Sequence, residues 1–225
     1  MKTKNDKYLN LALYLISFLA IILTPFAAGL ISPLFDWAGY GALRGFFDEL
    51  FTSILWIVEI LLIAIIYKVK FDSKIWYNDK GKGQILPVKR VLIISGIVVA
   101  CILIISAQIG FQVKPFYDLG EKFNGYQLMT NVGIFLRNTV KCIWIVIMIK
   151  AVQDFLEQIL GTGRFQYVYA GLVMVLTVGI YDIVMGMNNL AITYLFLYLI
   201  YGIIYLLTDR HTIKSFLLIL LIYLF

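Results

Sequence analysis

Long apolar runs recur along this chain with short polar stretches between them. They cover residues 9–34, 51–67, 91–112, 127–149, 166–187 and 189–207, and a last run covers 215–225. A helix rises about 1.5 Å per residue, so about 20 apolar residues cross a hydrocarbon core of about 30 Å. Backbone groups inside lipid must bond within their own segment, which makes each run a helix. The pattern predicts an all-α, polytopic transmembrane helical bundle of about six spans plus a short C-terminal apolar segment, in a single transmembrane domain over 1–225. The last run, Ser215 to Phe225, would reach only about 16 Å as a helix. It is a half-helix, or the natural chain continues. Leu9 to Ile31 is too long for the apolar core of a secretory signal and is expected to be a retained span. Pro25 and Pro33 predict a kink or early exit there, and Trp37 and Tyr40 follow as interface anchors.

Charge sets the orientation. Of 19 basic residues, seven lie in the connection 68–90: Lys68, Lys70, Lys74, Lys80, Lys82, Lys89 and Arg90, against Asp72 and Asp79. Short cytoplasmic connections are enriched in Lys and Arg, so this one is cytoplasmic. Alternation puts the N-terminus, 150–165 and 208–214 on the same side. Those four stretches carry 14 basic and six acidic residues. The opposite side, 35–50, 113–125 and the Asn188-Asn189 turn, carries three basic and five acidic. The expected orientation has the N-terminus in the cytoplasm. The net charge of +6 is then a topology signal. The lysine-rich face can meet anionic headgroups, and nucleic acid is a poor partner for it.

Composition agrees, since 62% of residues are hydrophobic and 14% charged, too few polar groups to coat a water-soluble globule. Cys101 and Cys142 fall inside apolar runs and are expected in the core. His211, the one histidine, sits in a basic turn, so no metal site and no cofactor is expected. No HExxH, GxSxG or phosphate-binding loop occurs.

Four charges lie inside the expected spans: Glu59, Arg137, Lys141 and Asp182. Ionisable groups in hydrocarbon are costly and face a partner or a wet cavity. Arg137 and Lys141, four apart, share a helix face near Asn131 and Asn138. With two acids and two bases, pairing of these bases with Glu59 and Asp182 is the favoured expectation. The sharper readings are an anion or headgroup site, a grip on a partner helix, or a proton relay through Glu59. Asp182 lies close enough to the outer end of its run to reach the interface. Gly171, Gly179, Gly186 and Gly202 permit close helix approach.

From about Ile149 to Phe225 the chain resembles the C-terminal half of the CPBP (CAAX protease and bacteriocin-processing, Abi) membrane protein family. The stretches that carry this are Asp154-Phe155-Leu156-Glu157-Gln158-Ile159-Leu160, the apolar Tyr167 to Ile183, and Tyr201-Gly202-Ile203-Ile204-Tyr205-Leu206-Leu207-Thr208-Asp209-Arg210-His211-Thr212-Ile213. The last is similar to the family's GLxxGxxYxxTGxxxxxIxxH passage without its final histidine. Active members use an EExxxR helix, an FxxxH helix and a last histidine. Here Met148 and Ile149 stand at the paired glutamates, Gln153 at the arginine, Thr177 and Tyr181 near FxxxH, and Leu220 near the last histidine. Asp48-Glu49 is a double acid too early in the chain to replace them. The resemblance therefore implies a degenerate, non-enzymatic member. Such a protein would be a scaffold or bacteriocin-immunity protein that binds another membrane or cell-envelope protein. The alternatives are a small-solute-binding transport component built on the four intramembrane charges, and a protease with an atypical site.

Overall fold

A computed structural model describes residues 4–31, 33–34, 39–71, 86–111, 125–161, 169–184 and 191–224. Helix α1 covers Lys4–Ile31, and a 3-10 turn at Gly41–Leu43 leads into α2, Arg44–Phe71. Then come α3 at Val88–Gln108 and α4 at Gly125–Leu160. The last three are α5 at Tyr169–Val184, α6 at Ala191–Leu207 and α7 at Thr212–Leu224. All regular structure among the described residues is helical.

Stretches Tyr8–Ile31, Arg44–Lys70, Val88–Gln108 and Leu128–Leu160 are long and apolar enough to cross a membrane, which makes this an integral membrane protein. Tyr169–Val184, Ile192–Leu207 and Thr212–Leu224 are apolar but shorter. Residues 166–168 and 185–190 at the edges of the fifth and sixth apolar runs, and Trp37, lie outside the described residues. α1 runs unbroken through Pro25.

Two helices, α2 and α4, exceed their apolar runs furthest. α2 starts at Arg44, so Asp48 and Glu49 belong to the helix and not to the preceding connection. α4 continues past the apolar run to Leu160, because Lys150 with Asp154 and Gln153 with Glu157 pair one turn apart along it. α4 is the central helix and packs on α1, α2, α5, α6 and α7. Residues 144–153 are buried on every side of it, as expected for a helix surrounded by others. Trp144, Ile147, Met148 and Ile149 have no appreciable exposure.

α5 and α6 cross at backbone contact. A Cβ on Gly171 would lie 2.7 Å from the Leu199 carbonyl oxygen, and one on Gly202 would lie 2.7 Å from the Gly171 nitrogen. Glycine is needed here for lack of volume. Inside α5 the backbone widens into a π turn at Val175–Gly179. Among its buried residues, Ala170, Met174, Val178 and Asp182 are spaced four apart, a spacing that drifts off one face of a 3.6-residue helix. The wider turn takes up the drift and keeps Asp182 inward.

Helix ends gather at two poles. At one, Tyr67 donates to Asn10 (3.4 Å), Arg90 pairs with Asp209, and Arg210 pairs with Glu157 (2.7 Å). That joins the start of α1, the end of α2, the start of α3, the end of α4 and the α6–α7 turn. At the other, Gln108 and Thr193 exchange hydrogen bonds of 2.7 and 2.9 Å.

Candidate functional site: the buried charges

Arg137 and Lys141 project from the same face of α4 and meet different partners. The Arg137 guanidinium donates to Glu49 Oε1 at 2.9 Å and lies 2.8 Å from Oε2. Lys141 Nζ lies 3.1 and 3.3 Å from the Asp182 oxygens, and the Tyr198 hydroxyl donates to Asp182 Oδ2 at 2.5 Å. These pairs tie α4 to α2 on one side and to α5 and α6 on the other. The Asp182 side chain is only 5% exposed, so it is an interior group paired with Lys141, in line with the favoured pairing and not with a reach to the interface.

Glu59 departs from the expected pairing. It accepts one hydrogen bond, from the Thr24 hydroxyl on α1 at 3.0 Å, and its second carboxyl oxygen is buried without a hydrogen-bond partner. No described cation pairs with it. The expected balance of two acids and two bases fails because Glu49, placed outside the span by its position before the apolar run, takes Arg137. One carboxyl is left over.

A second polar cluster occupies the first pole, on the part of α4 expected to be a connection. Arg210 bridges Glu157 at 2.7 Å and approaches Asp154 at 3.9 Å, and Lys150 stands 4.0 Å from Asp154 and over the Tyr67 ring. Gln153 is 1% exposed; its amide donates to Glu157 at 2.6 Å and its oxygen accepts the Ala170 N–H at 3.2 Å, capping the first turn of α5. The signal for this cluster was the (i, i+4) polar pairing in Lys150-Ala151-Val152-Gln153-Asp154-Phe155-Leu156-Glu157. Beside it, the turn carries left-handed Asp209 and Arg210 (φ 55 and 62), and His211 starts α7 by accepting the Lys214 N–H on Nδ1 at 3.4 Å. Burial and the Lys214 charge hold its imidazole below the usual histidine range.

Lys68, Lys70, Lys89 and Arg90 are exposed at this pole; Lys74, Lys80 and Lys82 lie outside the described residues. Cys101 and Cys142 are buried, with no disulfide between them. Among the described residues no three His, Cys, Asp or Glu side chains gather as metal ligands. At the positions that the resemblance to the CPBP family would set against its catalytic residues, Met148 and Ile149 are fully packed and Gln153 caps α5. Thr177 holds Tyr14 at 2.6 Å, and Leu220 packs against the core.

The fold and its buried charges thus define a helical integral membrane protein. No protein-family model, no curated protein and no solved structure matches the chain.

Proposed function

We propose that this is a non-catalytic, degenerate CPBP-like protein of a bacterial cytoplasmic membrane. It would serve as a scaffold or immunity protein and bind another envelope protein through its outer helix faces. The observation that carries this reading is the internal use of the polar interior: Arg137 with Glu49 and Lys141 with Asp182 and Tyr198 lock α2, α4, α5 and α6 together. The packing of Met148 and Ile149 supports it further, since these positions hold core and not reactive groups. The bundle crosses the membrane about six times with its N-terminus inside. Support for this comes from the pole where Lys68, Lys70, Lys89, Arg90, Lys150 and Arg210 collect.

Affinity purification from native membranes in mild detergent, with mass spectrometry of what is retained, tests the reading. One envelope protein in stoichiometric amount is expected. Retention of a small molecule and no protein would overturn it in favour of a solute-binding transport component, the reading that the unpaired Glu59 favours. For topology, a cysteine at Gly39 should react with an impermeant maleimide in intact cells, and one at Lys89 only after permeabilisation. The reverse pattern would invert the orientation.

A further inference from the structure

Glu59 lies near the middle of α2, within a segment apolar enough to span the membrane. Its environment is built from α1. Thr24 donates to one carboxyl oxygen, and the next residue, Pro25, has no N–H to offer the Ile21 carbonyl four residues back. One turn away, the Trp56 indole donates to the Ala20 carbonyl at 3.3 Å. Ile21, Thr24 and Trp56 are all buried, so the α1–α2 seam at this depth holds the Thr24 hydroxyl against the Glu59 carboxyl, one turn after a carbonyl that Pro25 leaves without its helical donor.

Nothing described compensates the carboxylate. Glu49 on α2 is engaged with Arg137, and on α4 Lys141 is held by Asp182 and Lys150 by Asp154. On α1 the Thr24 hydroxyl is the donor to Glu59, while the Ser17 hydroxyl donates to the Leu13 carbonyl and the Tyr14 hydroxyl is bound to Thr177. Glu59 Oε2 is nevertheless shut away from solvent. An ionised carboxylate at this depth without a counter-charge is strongly disfavoured, so a small positive species must accompany it. Carboxyl, hydroxyl and released carbonyl oxygens are hard ligands. Such oxygens suit a hard cation or a proton, and backbone carbonyls without a helical donor hold Na⁺ or H⁺ in membrane transport proteins.

We propose that Glu59, with Thr24 and the carbonyl freed by Pro25, forms a monovalent-cation site in the middle of the membrane, occupied by a proton or by Na⁺. The site is independent of whether the bundle binds a partner protein, and its failure would leave that reading standing.

Labelling with dicyclohexylcarbodiimide tests it, since this apolar reagent adds to protonated carboxyls in hydrocarbon. Purified full-length protein is treated between about pH 6 and about pH 9 and the adduct is mapped by mass spectrometry. A single adduct on Glu59 is expected, with yield falling about tenfold per pH unit at the alkaline end. The adduct should be lost in E59Q, and T24V should change its pH dependence. Protection by NaCl but not by choline chloride assigns the occupant as Na⁺ in exchange with H⁺; equal yield in both salts assigns a proton alone. Absence of Glu59 labelling throughout, or labelling that ignores pH, overturns the proposal. The wild-type result decides it even if E59Q fails to fold.

Discussion

The pair between Lys141 and Asp182 makes the sharpest energetic test of how this bundle is held together. Its groups are 21% and 5% exposed, and Tyr198 supplies a second bond to the carboxylate. Removing one member of a buried pair costs about 3–5 kcal/mol, because the other charge stays behind. K141M leaves the more deeply buried charge, Asp182, and should fall in that range. D182N leaves Lys141, whose flexible stem can carry the ammonium toward water, so its loss should be about 2–3 kcal/mol. The double variant K141M/D182N leaves no charge and keeps an amide oxygen as acceptor for the Tyr198 hydroxyl, so it should return to within about 1 kcal/mol of wild type. For a chain of this size each kcal/mol shifts the midpoint by about 2–4 °C. K141M should therefore melt roughly 6–20 °C lower, followed by tryptophan fluorescence in mild detergent, where Trp56 and Trp144 report from the core. If each single variant shifts by less than about 2 °C, or if the double loss equals the sum of the singles, the reasoning is refuted.

Three further outcomes follow from the geometry. G202A should lower the melting midpoint by the equivalent of about 1–3 kcal/mol, because its Cβ would meet backbone 2.7 Å away that cannot rotate aside. Q153L orphans the Ala170 N–H and removes a bond to Glu157, so a loss of about 1–3 kcal/mol is expected, with increased hydrogen exchange confined to the first turn of α5. For His211 the folded value is depressed, so its contribution is complete above the ordinary histidine value of about 6.5 and is lost as pH falls through the folded value. H211N keeps an acceptor for the Lys214 N–H. The wild type should therefore lose melting temperature relative to H211N below about pH 6, and parallel curves would contradict this.

Much of the architecture was legible in the order of residues. A membrane setting, helices throughout and the concentration of basic side chains near one pole follow from hydropathy and charge, which need no knowledge of neighbours. The candidate charges Arg137, Lys141 and Asp182 were identified by depth alone, since an ion in hydrocarbon must have a reason to be there. Their one-turn spacing on α4 also announced a shared face.

Which acid meets which base was decided only by the packed bundle. Glu49 and Glu59 both sit on α2, but ten residues separate them. At 3.6 residues per turn that places them about 15 Å apart in height and about 80° apart around the helix, so only one can face Arg137. The hydropathy edge put Glu49 outside the span, whereas the helix begins at Arg44 and brings it inside. Whether Asp182 pairs internally or reaches the interface was likewise settled by packing, through a π turn that keeps its face of α5 inward. Hydropathy measures depth along one segment. Pairing depends on rotation and crossing of segments far apart in the chain, and those are set when the helices pack.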